Sequence, residues 1–193
     1  MIPPNLTLYI IRHGECEHNI AGRAAGQDDS PLTHRGREQA RDNGRLLARF
    51  ASHPLDQFRY FSSPLHRTCT TMELLLEEIG LPQNQYRSDR RLMEGDLGDH
   101  TGLSGPAMLG HPDYMNSVDP WNYTRPNGES VAMVHERVGQ FLASLVSDSV
   151  IVTHALPASM IRAHALGLLR EGANFELGNT GILRVTQGTA TLF

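Results

Sequence analysis

The stretch from Ile10 to Glu15 contains the residue types best suited to chemistry. It reads Ile-Ile-Arg-His-Gly-Glu and follows an apolar run that begins at Leu6. A short run rich in Ile, Leu and Tyr is typical of a buried strand, so Arg12 and His13 are expected where that strand ends. A guanidinium binds phosphate oxygens and a neutral imidazole attacks phosphorus, so this pair suits a phosphate ester. A basic strand end that happens to contain a histidine is the alternative that this stretch alone leaves open.

Two further predicted strands also end in polar residues. The second strand is followed by Ser62 and Ser63, with Arg67 one helical turn further on, and the third by His154. The carboxyl ends of parallel strands share one edge of a sheet, where α/β proteins bind their ligands. We therefore expect these groups to converge with the arginine and histidine of the first strand. Two arginines and two histidines around one point would form a pocket for a phosphate dianion.

Strands and helices alternate in the predicted structure. Strands are predicted at residues 6–11, 58–61, 149–153, 182–185 and 189–193, with Gln187-Gly188 as the turn of a hairpin between the last two. Helices are expected between them, with Thr33, Ser63 and Ser130 as N-caps, Gly80 as a stop, and a fourth helix over about residues 156–169. The region from residue 16 to 30 is predicted to be too irregular for an element. This alternation predicts an α/β fold, a three-layer α/β/α sandwich with a mostly parallel central sheet.

Length and composition favour one globular domain over residues 1–193, with a long, partly helical excursion over the active face at about residues 83–128. The net charge of −4 argues against nucleic acid as a partner, and no apolar run reaches the roughly 20 residues of a membrane span. The two cysteines form no disulfide framework, which favours a reducing compartment, and a cytoplasmic location is expected. The remaining histidines show no metal-ligand spacing, so no metal site is expected.

The order of these motifs resembles the histidine phosphatase superfamily, in its phosphoglycerate mutase-like branch. The resemblance spans residues 6 to 154 and rests on Arg12-His13-Gly14-Glu15 with Asn19, Asp29-Ser30-Pro31-Leu32-Thr33 with Gly36 and Gln39-Ala40, Ser62-Ser63-Pro64-Leu65 with Arg67, Leu92-Met93-Glu94 with Gly98 and Gly102, Gly128-Glu129-Ser130, and Val152-Thr153-His154.

The resemblance implies a role for each matching residue. His13 would be the nucleophile that forms a phosphohistidine, and Glu94 the general acid, with Asp96 and Asp99 as rival acids nearby. The residues that would clamp the phosphoryl oxygens are Arg12, Arg67 and His154. Supporting contacts to phosphate or substrate are expected from Asn19, Glu15, Ser62, Ala155 and Arg125. No cofactor and no metal are expected, because two guanidiniums supply the positive charge that other phosphatases take from a metal ion.

Several positions depart from the family pattern. Cys16 and His18 stand where the family often has Ser or Thr and Trp, and Ala155 stands where it usually has Gly. The segment Gly95-Asp96-Leu97-Gly98 replaces the Arg-His-Tyr-Gly that follows the catalytic glutamate in cofactor-dependent phosphoglycerate mutases. The sequence therefore favours a metal-independent, acid-type histidine phosphatase over a mutase. A protein that binds phosphorylated ligands without turnover is a further alternative, which the presence of His13 and Glu94 disfavours.

The expected partner is a small phosphorylated metabolite. Residues 102–128 are predicted to form the wall that selects it, with aromatic side chains that stack on a sugar or a base and Arg125 as a partner for a second anionic group. The residues of this predicted wall are His111, Tyr114, Trp121, Tyr123 and Arg125. The apolar residues 189–193 leave two alternatives open, a homodimer contact or the completion of the sheet.

Overall fold

A mixed β-sheet with helices on both faces forms the centre of the protein. The computed structural model describes residues 3, 5–168, 170 and 174–193. The strands in this part of the chain are β1 (Leu8–Arg12), β2 (Arg59–Ser62), β3 (Arg87–Ser88), β4 (Ser149–Thr153), β5 (Leu183–Thr186) and β6 (Thr189–Leu192). Their order in the sheet is β3-β2-β4-β1-β5-β6. The first four strands in this order are parallel to one another, β5 is antiparallel to β1, and β6 is antiparallel to β5. The predicted α/β fold with a mostly parallel sheet is therefore confirmed.

The helices lie in the connections between strands. Their bounds are α1 (Glu17–Ile20), α2 (His34–Phe50), α3 (His66–Glu78), α4 (Gly105–Leu109), α5 (Pro112–Met115), α6 (Val131–Ala143) and α7 (Ala155–Leu166). Among the described residues, none of the helices combines the length and the apolarity that crossing a bilayer requires.

Alternation along β1 divides the core into two halves. Leu8 and Ile10 pack on the side of α6 and α7, whereas Tyr9 and Ile11 pack on the side of α2 and α3. All four side chains are fully buried, as expected for a central strand that is covered on both faces. The two apolar layers hold the sheet between helices and give the three-layer arrangement that the sequence predicts.

Strand register places the ends of β1, β2 and β4 side by side. Arg12 lies opposite Thr153, and Ser62 lies opposite Val152. The backbone pairing continues one residue further, because the N–H of His13 donates to the carbonyl of Thr153 at 3.0 Å. The residues that follow these three strands therefore meet at one edge of the sheet.

Helix boundaries agree with the sequence at two of the three predicted N-caps. Thr33 and Ser130 cap α2 and α6 through their hydroxyl groups. The prediction of Ser63 as an N-cap is wrong by two residues, since α3 has Leu65 as its N-cap. The hydroxyl of Ser63 lies 2.9 Å from the imidazole of His154 instead, and Leu65 itself has an extended backbone. Gly80, with a φ of +74°, follows the end of α3 as predicted.

The C-terminal elements also follow the prediction closely. α7 ends at Leu166, and Gly167 then adopts a left-handed conformation with a φ of +66°. The predicted end of this helix at Leu169 lies outside the described residues. β5 and β6 form the predicted hairpin around Gln187-Gly188, and β6 completes the sheet at one edge.

Short elements occur both in the region predicted to be irregular and in the region predicted to be partly helical. The segment after β1 holds the single-turn helix α1, which corrects the prediction of no element there. Its capping box uses Asn19, whose Oδ1 accepts from the backbone N–H of Cys16 at 3.0 Å. Residues 83–128 contain β3, α4 and α5, together with 3₁₀ turns at Arg90–Leu92 and Gly98–His100, and so they are partly helical.

Two glycines allow the N-terminus of α2 to pack directly against the loop after β1. A Cβ on Gly14 would lie 2.1 Å from the carbonyl oxygen of Gly36, and a Cβ on Gly36 would lie 2.0 Å from that of Glu15. Both contacts are with backbone, which cannot rotate away. Glycine at these two positions therefore fixes the distance between α2 and the loop that carries His13.

We predict that Gly36→Ala lowers the free energy of unfolding by about 1–3 kcal/mol or more, because the added methyl group forces two backbone segments apart. Gly105→Ala is the matched control, since a Cβ there meets nothing within 4 Å. Urea unfolding of both variants and the wild type would measure the difference. Equal stability of the two variants would show that the close approach of Gly36 is not a constraint on the fold.

Candidate active site

His13 lies buried at the shared edge of the three strands, with 4% of its surface exposed. Its Nδ1 is 2.8 Å from the carbonyl oxygen of Gly14. Because a carbonyl only accepts hydrogen bonds, this contact assigns the proton of the neutral ring to Nδ1. Nε2 then carries the lone pair, which is the form that a nucleophilic imidazole requires.

Arg67 is almost completely buried beside this histidine. Its guanidinium donates to the carbonyl oxygens of Gly26, at 2.8 Å, and Asp28, at 2.7 Å, and it lies 3.4 Å from the carboxylate of Asp29. The same carboxylate accepts from the backbone N–H of His66 at the start of α3. The loop after α1 therefore surrounds Arg67 with oxygen atoms and holds the charge in place.

Arg12 is held by residues near the C-terminal end of the sequence. Its NH1 donates to the carboxylate of Glu176 at 3.2 Å and to the carbonyl oxygen of Leu177 at 3.1 Å. Its Nε is buried and has no partner among the described residues, and the same is true of the Nε of Arg67. Each arginine thus has a buried donor whose hydrogen bond is not met within the described part of the chain.

His154 completes the cluster as the N-cap residue of α7. Its ring centroid is 5.1 Å from that of His13, and its Nε2 lies 2.9 Å from the hydroxyl of Ser63. Nδ1 of His154 is buried without a partner in the described part of the chain. If Nε2 accepts from the serine hydroxyl, Nδ1 carries the proton and is a third donor available to an anion. The backbone N–H groups at the start of α7 favour negative charge in the same place.

Burial and positive charge keep both histidines neutral. The pKa of His13 is lowered from 6.5 to about 3, first by burial and then by the nearby charges of Arg67 and Arg12. The pKa of His154 is lowered well below 6.5, first by burial and then by His13, Arg67 and Arg12. These shared interactions place the four groups in one cluster, as the sequence predicts. Neutral imidazoles beside two guanidiniums form a site for an anion.

Glu94 lies in an irregular segment whose backbone carbonyl groups accept hydrogen bonds from the side chain of Arg137 in α6. The guanidinium of Arg137 donates to the carbonyl oxygens of Arg91 at 2.8 Å, Met93 at 2.7 Å and Glu94 at 3.0 Å. It also forms a two-contact ion pair with Glu129, both contacts at 2.9 Å. All donors of Arg137 are thereby used, so this residue positions the segment rather than binding a substrate.

Two further hydrogen bonds tie the Glu94 segment to the anion site. Thr153, the last residue of β4, donates its hydroxyl to the carbonyl oxygen of Leu92 at 2.8 Å. Gln27 donates to the carbonyl oxygen of Glu94 at 3.2 Å, and it follows directly after Gly26, which holds Arg67. The backbone of Glu94 is therefore connected both to the strand before His154 and to the loop around Arg67.

The other predicted site residues occupy varied environments. Glu15 accepts from the hydroxyl of Thr33 at 2.9 Å, and the side-chain oxygen of Asn19 caps α1, so both already have structural roles. The hydroxyl of Ser62 donates to the carbonyl oxygen of Ser63 and is completely buried.

Ala155 and Arg125 are the two remaining predicted site residues. Ala155 is the first residue of α7, directly after His154. Arg125 donates to the carbonyl oxygen of Glu129 at 2.7 Å. Burial lowers the pKa of the Arg125 guanidinium, whereas the nearby charge of Glu94 opposes this shift. Arg125 therefore lies within electrostatic reach of the predicted general acid.

Sequence reasoning missed the roles of Ser63 and Arg137. Ser62 is the last residue of β2 and Ser63 follows it, and successive side chains of a strand point to opposite faces, but the sequence does not indicate which serine faces His154. Arg137 acts on backbone carbonyl groups that lie more than forty residues away along the chain. No local pattern encodes such a contact.

The aromatic residues of the predicted wall divide into two groups. Tyr114 and Tyr123 pack edge to face with centroids 5.8 Å apart, and His111 packs on His100 at 4.3 Å. Trp121 instead packs against His135 at 5.4 Å and against the apolar core on the side of α6 and α7.

Comparison with known proteins agrees with this geometry. The family model described as histidine phosphatase superfamily (branch 1) matches residues 8–191, and the chain therefore belongs to this superfamily.

Relatives in this superfamily carry two kinds of name. An acid phosphatase of Mycobacterium tuberculosis is 31% identical over 185 residues, which cover 92% of this chain and 85% of the relative. A 2,3-bisphosphoglycerate-dependent phosphoglycerate mutase of Rhizobium rhizogenes is 27% identical over 168 residues, which cover 84% of this chain and 75% of the relative. The crystal structure of the alpha-ribazole phosphatase from Shigella flexneri matches with a TM-score of 0.79 and 27% identity, over 97% of this chain and 95% of that one.

We predict that His13 makes the protein less stable in mild acid. Between pH 6.5 and about 3 the unfolded chain binds a proton on this imidazole and the folded chain does not. The free energy of unfolding therefore falls as the pH is lowered through this range, by up to about 1.4 kcal/mol per pH unit from this residue. Urea unfolding at several pH values would show a shallower slope for His13→Gln than for the wild type.

Nitrogen-15 NMR of the wild-type histidines provides the control for this prediction. The imidazole signals that disappear in His13→Gln belong to His13, and they should show a neutral ring at about pH 5, well below the ordinary imidazole pKa. A protonated His13 at that pH, or an unchanged slope in the variant, would contradict the assignment of a buried neutral nucleophile.

We predict that Arg137→Met lowers the free energy of unfolding by about 3 kcal/mol, because it removes the ion-pair partner of Glu129 and one donor from each of three backbone carbonyl groups in a site largely shielded from water. Arg41→Met is the control, since Arg41 pairs with Glu38 on the exposed surface of α2 and such pairs contribute about 0–1 kcal/mol. Urea unfolding would compare the two. Hydrogen exchange at residues 94–98 should accelerate only in Arg137→Met, and equal effects in both variants would contradict the proposed role.

Proposed function

We propose that this protein is a phosphomonoester hydrolase of the acid-type histidine phosphatases, which transfers the phosphoryl group of a small phosphorylated metabolite to His13 and then to water. The observation that carries this proposal is the buried, neutral imidazole of His13, which has its proton on Nδ1 and lies beside two guanidiniums and a second neutral histidine. This arrangement combines a nucleophile with a binding site for the charge that it attacks.

In the first step, the Nε2 lone pair of His13 attacks phosphorus and the bond from phosphorus to the ester oxygen breaks. Arg12, Arg67 and His154 donate to the non-bridging oxygens, with the buried nitrogens that have no partner in the described part of the chain. These donors are already positioned by the protein, so they stabilise the charge that spreads over the oxygens without further reorganisation. Since the guanidiniums supply this charge, the proposed reaction requires no metal ion.

Glu94 is the proposed general acid. Its carboxyl group protonates the departing alkoxide, and its carboxylate then accepts a proton from the water that attacks the phosphohistidine. This second step breaks the bond between phosphorus and Nε2, which returns the lone pair to His13 and releases inorganic phosphate. The hydrogen bond from Arg137 to the carbonyl oxygen of Glu94 fixes the backbone position from which the carboxyl group extends.

The substrate is proposed to carry a sugar or base beside its phosphate. Tyr114 and Tyr123 provide faces for such a ring, and Arg125 provides a charge for a second anionic group. The relatives named as acid phosphatase and alpha-ribazole phosphatase support a hydrolase.

Phosphoglycerate mutase activity is the second candidate, and the mutases among the relatives favour it. The segment 95–98 lacks the basic residues of the mutase pattern described above, which favours the hydrolase. The test is the interconversion of 2- and 3-phosphoglycerate with 2,3-bisphosphoglycerate present, compared with phosphate release by the same preparation. Interconversion that exceeds phosphate release would favour the mutase.

We predict that the wild type releases phosphate from p-nitrophenyl phosphate in EDTA and that His13→Ala does not. Glu94→Gln should lose about 10²–10⁴-fold in kcat with an alkyl phosphate, whose leaving group needs a proton. It should lose much less with p-nitrophenyl phosphate, whose leaving group departs as a stable anion. This difference between substrates identifies the general acid separately from the nucleophile.

Asp99→Asn is the matched control for this experiment, because Asp99 is a nearby exposed carboxylate that accepts from the side chain of Asn127. It should keep wild-type rates with both substrates. Equal losses with the two substrates in Glu94→Gln would reject Glu94 as the acid. Activity that persists in His13→Ala would reject the phosphohistidine pathway, and the binding of inorganic phosphate without any turnover would support a non-catalytic binding protein.

A further inference from the structure

Three potential metal ligands meet in the region of residues 83–128, outside the proposed reaction. His100 ends the 3₁₀ turn Gly98–His100, and His111 and Asp113 lie at the start of α5. One donor atom from each of the three lies within 4.8 Å of the other two. Nδ1 of His111 and Oδ2 of Asp113 are already only 3.7 Å apart.

His100 is buried without full hydrogen bonding. Only 2% of its surface is exposed, and its Nε2 has no partner among the described residues. The hydroxyl oxygen of Tyr123, whose ring is 6.3 Å from that of His100, is also buried and without a partner in that part of the chain. Buried polar atoms of native proteins are nearly always satisfied, so these two point to a ligand at this place.

We propose that His100, His111 and Asp113 bind a divalent transition-metal ion of the zinc type. Two imidazoles and a carboxylate are ligands that zinc accepts, and they leave one position of a tetrahedron for water. Ligands at about 2.1 Å from zinc are about 3.4 Å from one another in that geometry. The donors would approach by about 1 Å, and the mostly exposed side chain of Asp113 and the partly exposed one of His111 have room to do so.

Charged groups of both signs lie near the cluster. Arg125 is within electrostatic reach of His100, and its positive charge repels a cation. Asp113 and Asp99 act on the same ring with negative charge and offset that repulsion.

A metal ion here would connect α5 to the loop that holds Arg67. Gly102, two residues after His100, donates its backbone N–H to the carbonyl of Ala24 at 2.8 Å, and the N–H of Ala24 donates to Leu103 at 2.9 Å. The same loop continues to Gly26 and the guanidinium of Arg67. The ion would therefore order residues 98–115 beside the proposed site and take no part in phosphoryl transfer.

Isothermal titration of the chelator-treated full chain with zinc chloride tests the proposal. We expect one zinc ion per chain, with affinity at least about tenfold weaker in His111→Ala and in Asp113→Asn. His53→Ala is the matched control, because His53 also faces one carboxylate, Asp148, at 3.5 Å, but does not belong to the three-ligand cluster. It should bind zinc as the wild type does. Magnesium should not compete, since it prefers oxygen ligands.

Limited proteolysis gives a readout that does not depend on activity. Zinc should slow cleavage within residues 98–115 of the wild type and leave Asp113→Asn unprotected, and this exposed substitution leaves the fold intact. The proposal is overturned if the wild type binds no zinc, or if both variants bind and are protected as the wild type is. Because the phosphatase assays are done in EDTA, a failure of zinc binding leaves the proposed hydrolysis untouched, and the reverse also holds.

Discussion

The parallel pairing of β1 with β4 is the constraint on which the candidate site depends. It aligns Arg12 with Thr153, so the next residue of each strand, His13 and His154, emerges at the same edge of the sheet. A shift of one residue would turn each of these side chains to the other face. The fully buried apolar side chains of both strands prevent such a shift, because it would exchange the residues of the two core layers.

The second requirement is electrostatic. Arg67 is buried beside two imidazoles, and a buried charge is costly unless polar atoms surround it. The carbonyl oxygens of Gly26 and Asp28 and the carboxylate of Asp29 meet this need. The charge of the guanidinium adds to burial in lowering the pKa of both rings, and it attracts an anion. The site is positive although the whole chain carries a net charge of −4.

The sequence predicted the architecture and the cluster of His13, His154, Arg12 and Arg67 because the information is local. Apolar runs mark the strands, and the polar residues directly after them mark the shared edge. It failed at Ser63, where a strong helix-capping signal competed with a contact to a histidine far away in the chain, and the tertiary contact prevailed. It also gave no indication of Arg137, whose partners are backbone oxygens, since every residue type offers the same carbonyl group.

The clamp formed by Arg137 has a consequence for how this active site can diversify. Arg137 binds Arg91, Met93 and Glu94 through main-chain oxygens alone, so these contacts do not depend on which side chains stand at those positions. An exposed position of this segment can therefore change by mutation and keep its contact with Arg137, whereas Leu92 is buried in the core and Glu94 is the proposed acid. A new substrate preference can thus arise on this segment without rebuilding the scaffold, provided that no exchange withdraws a carbonyl oxygen from the guanidinium.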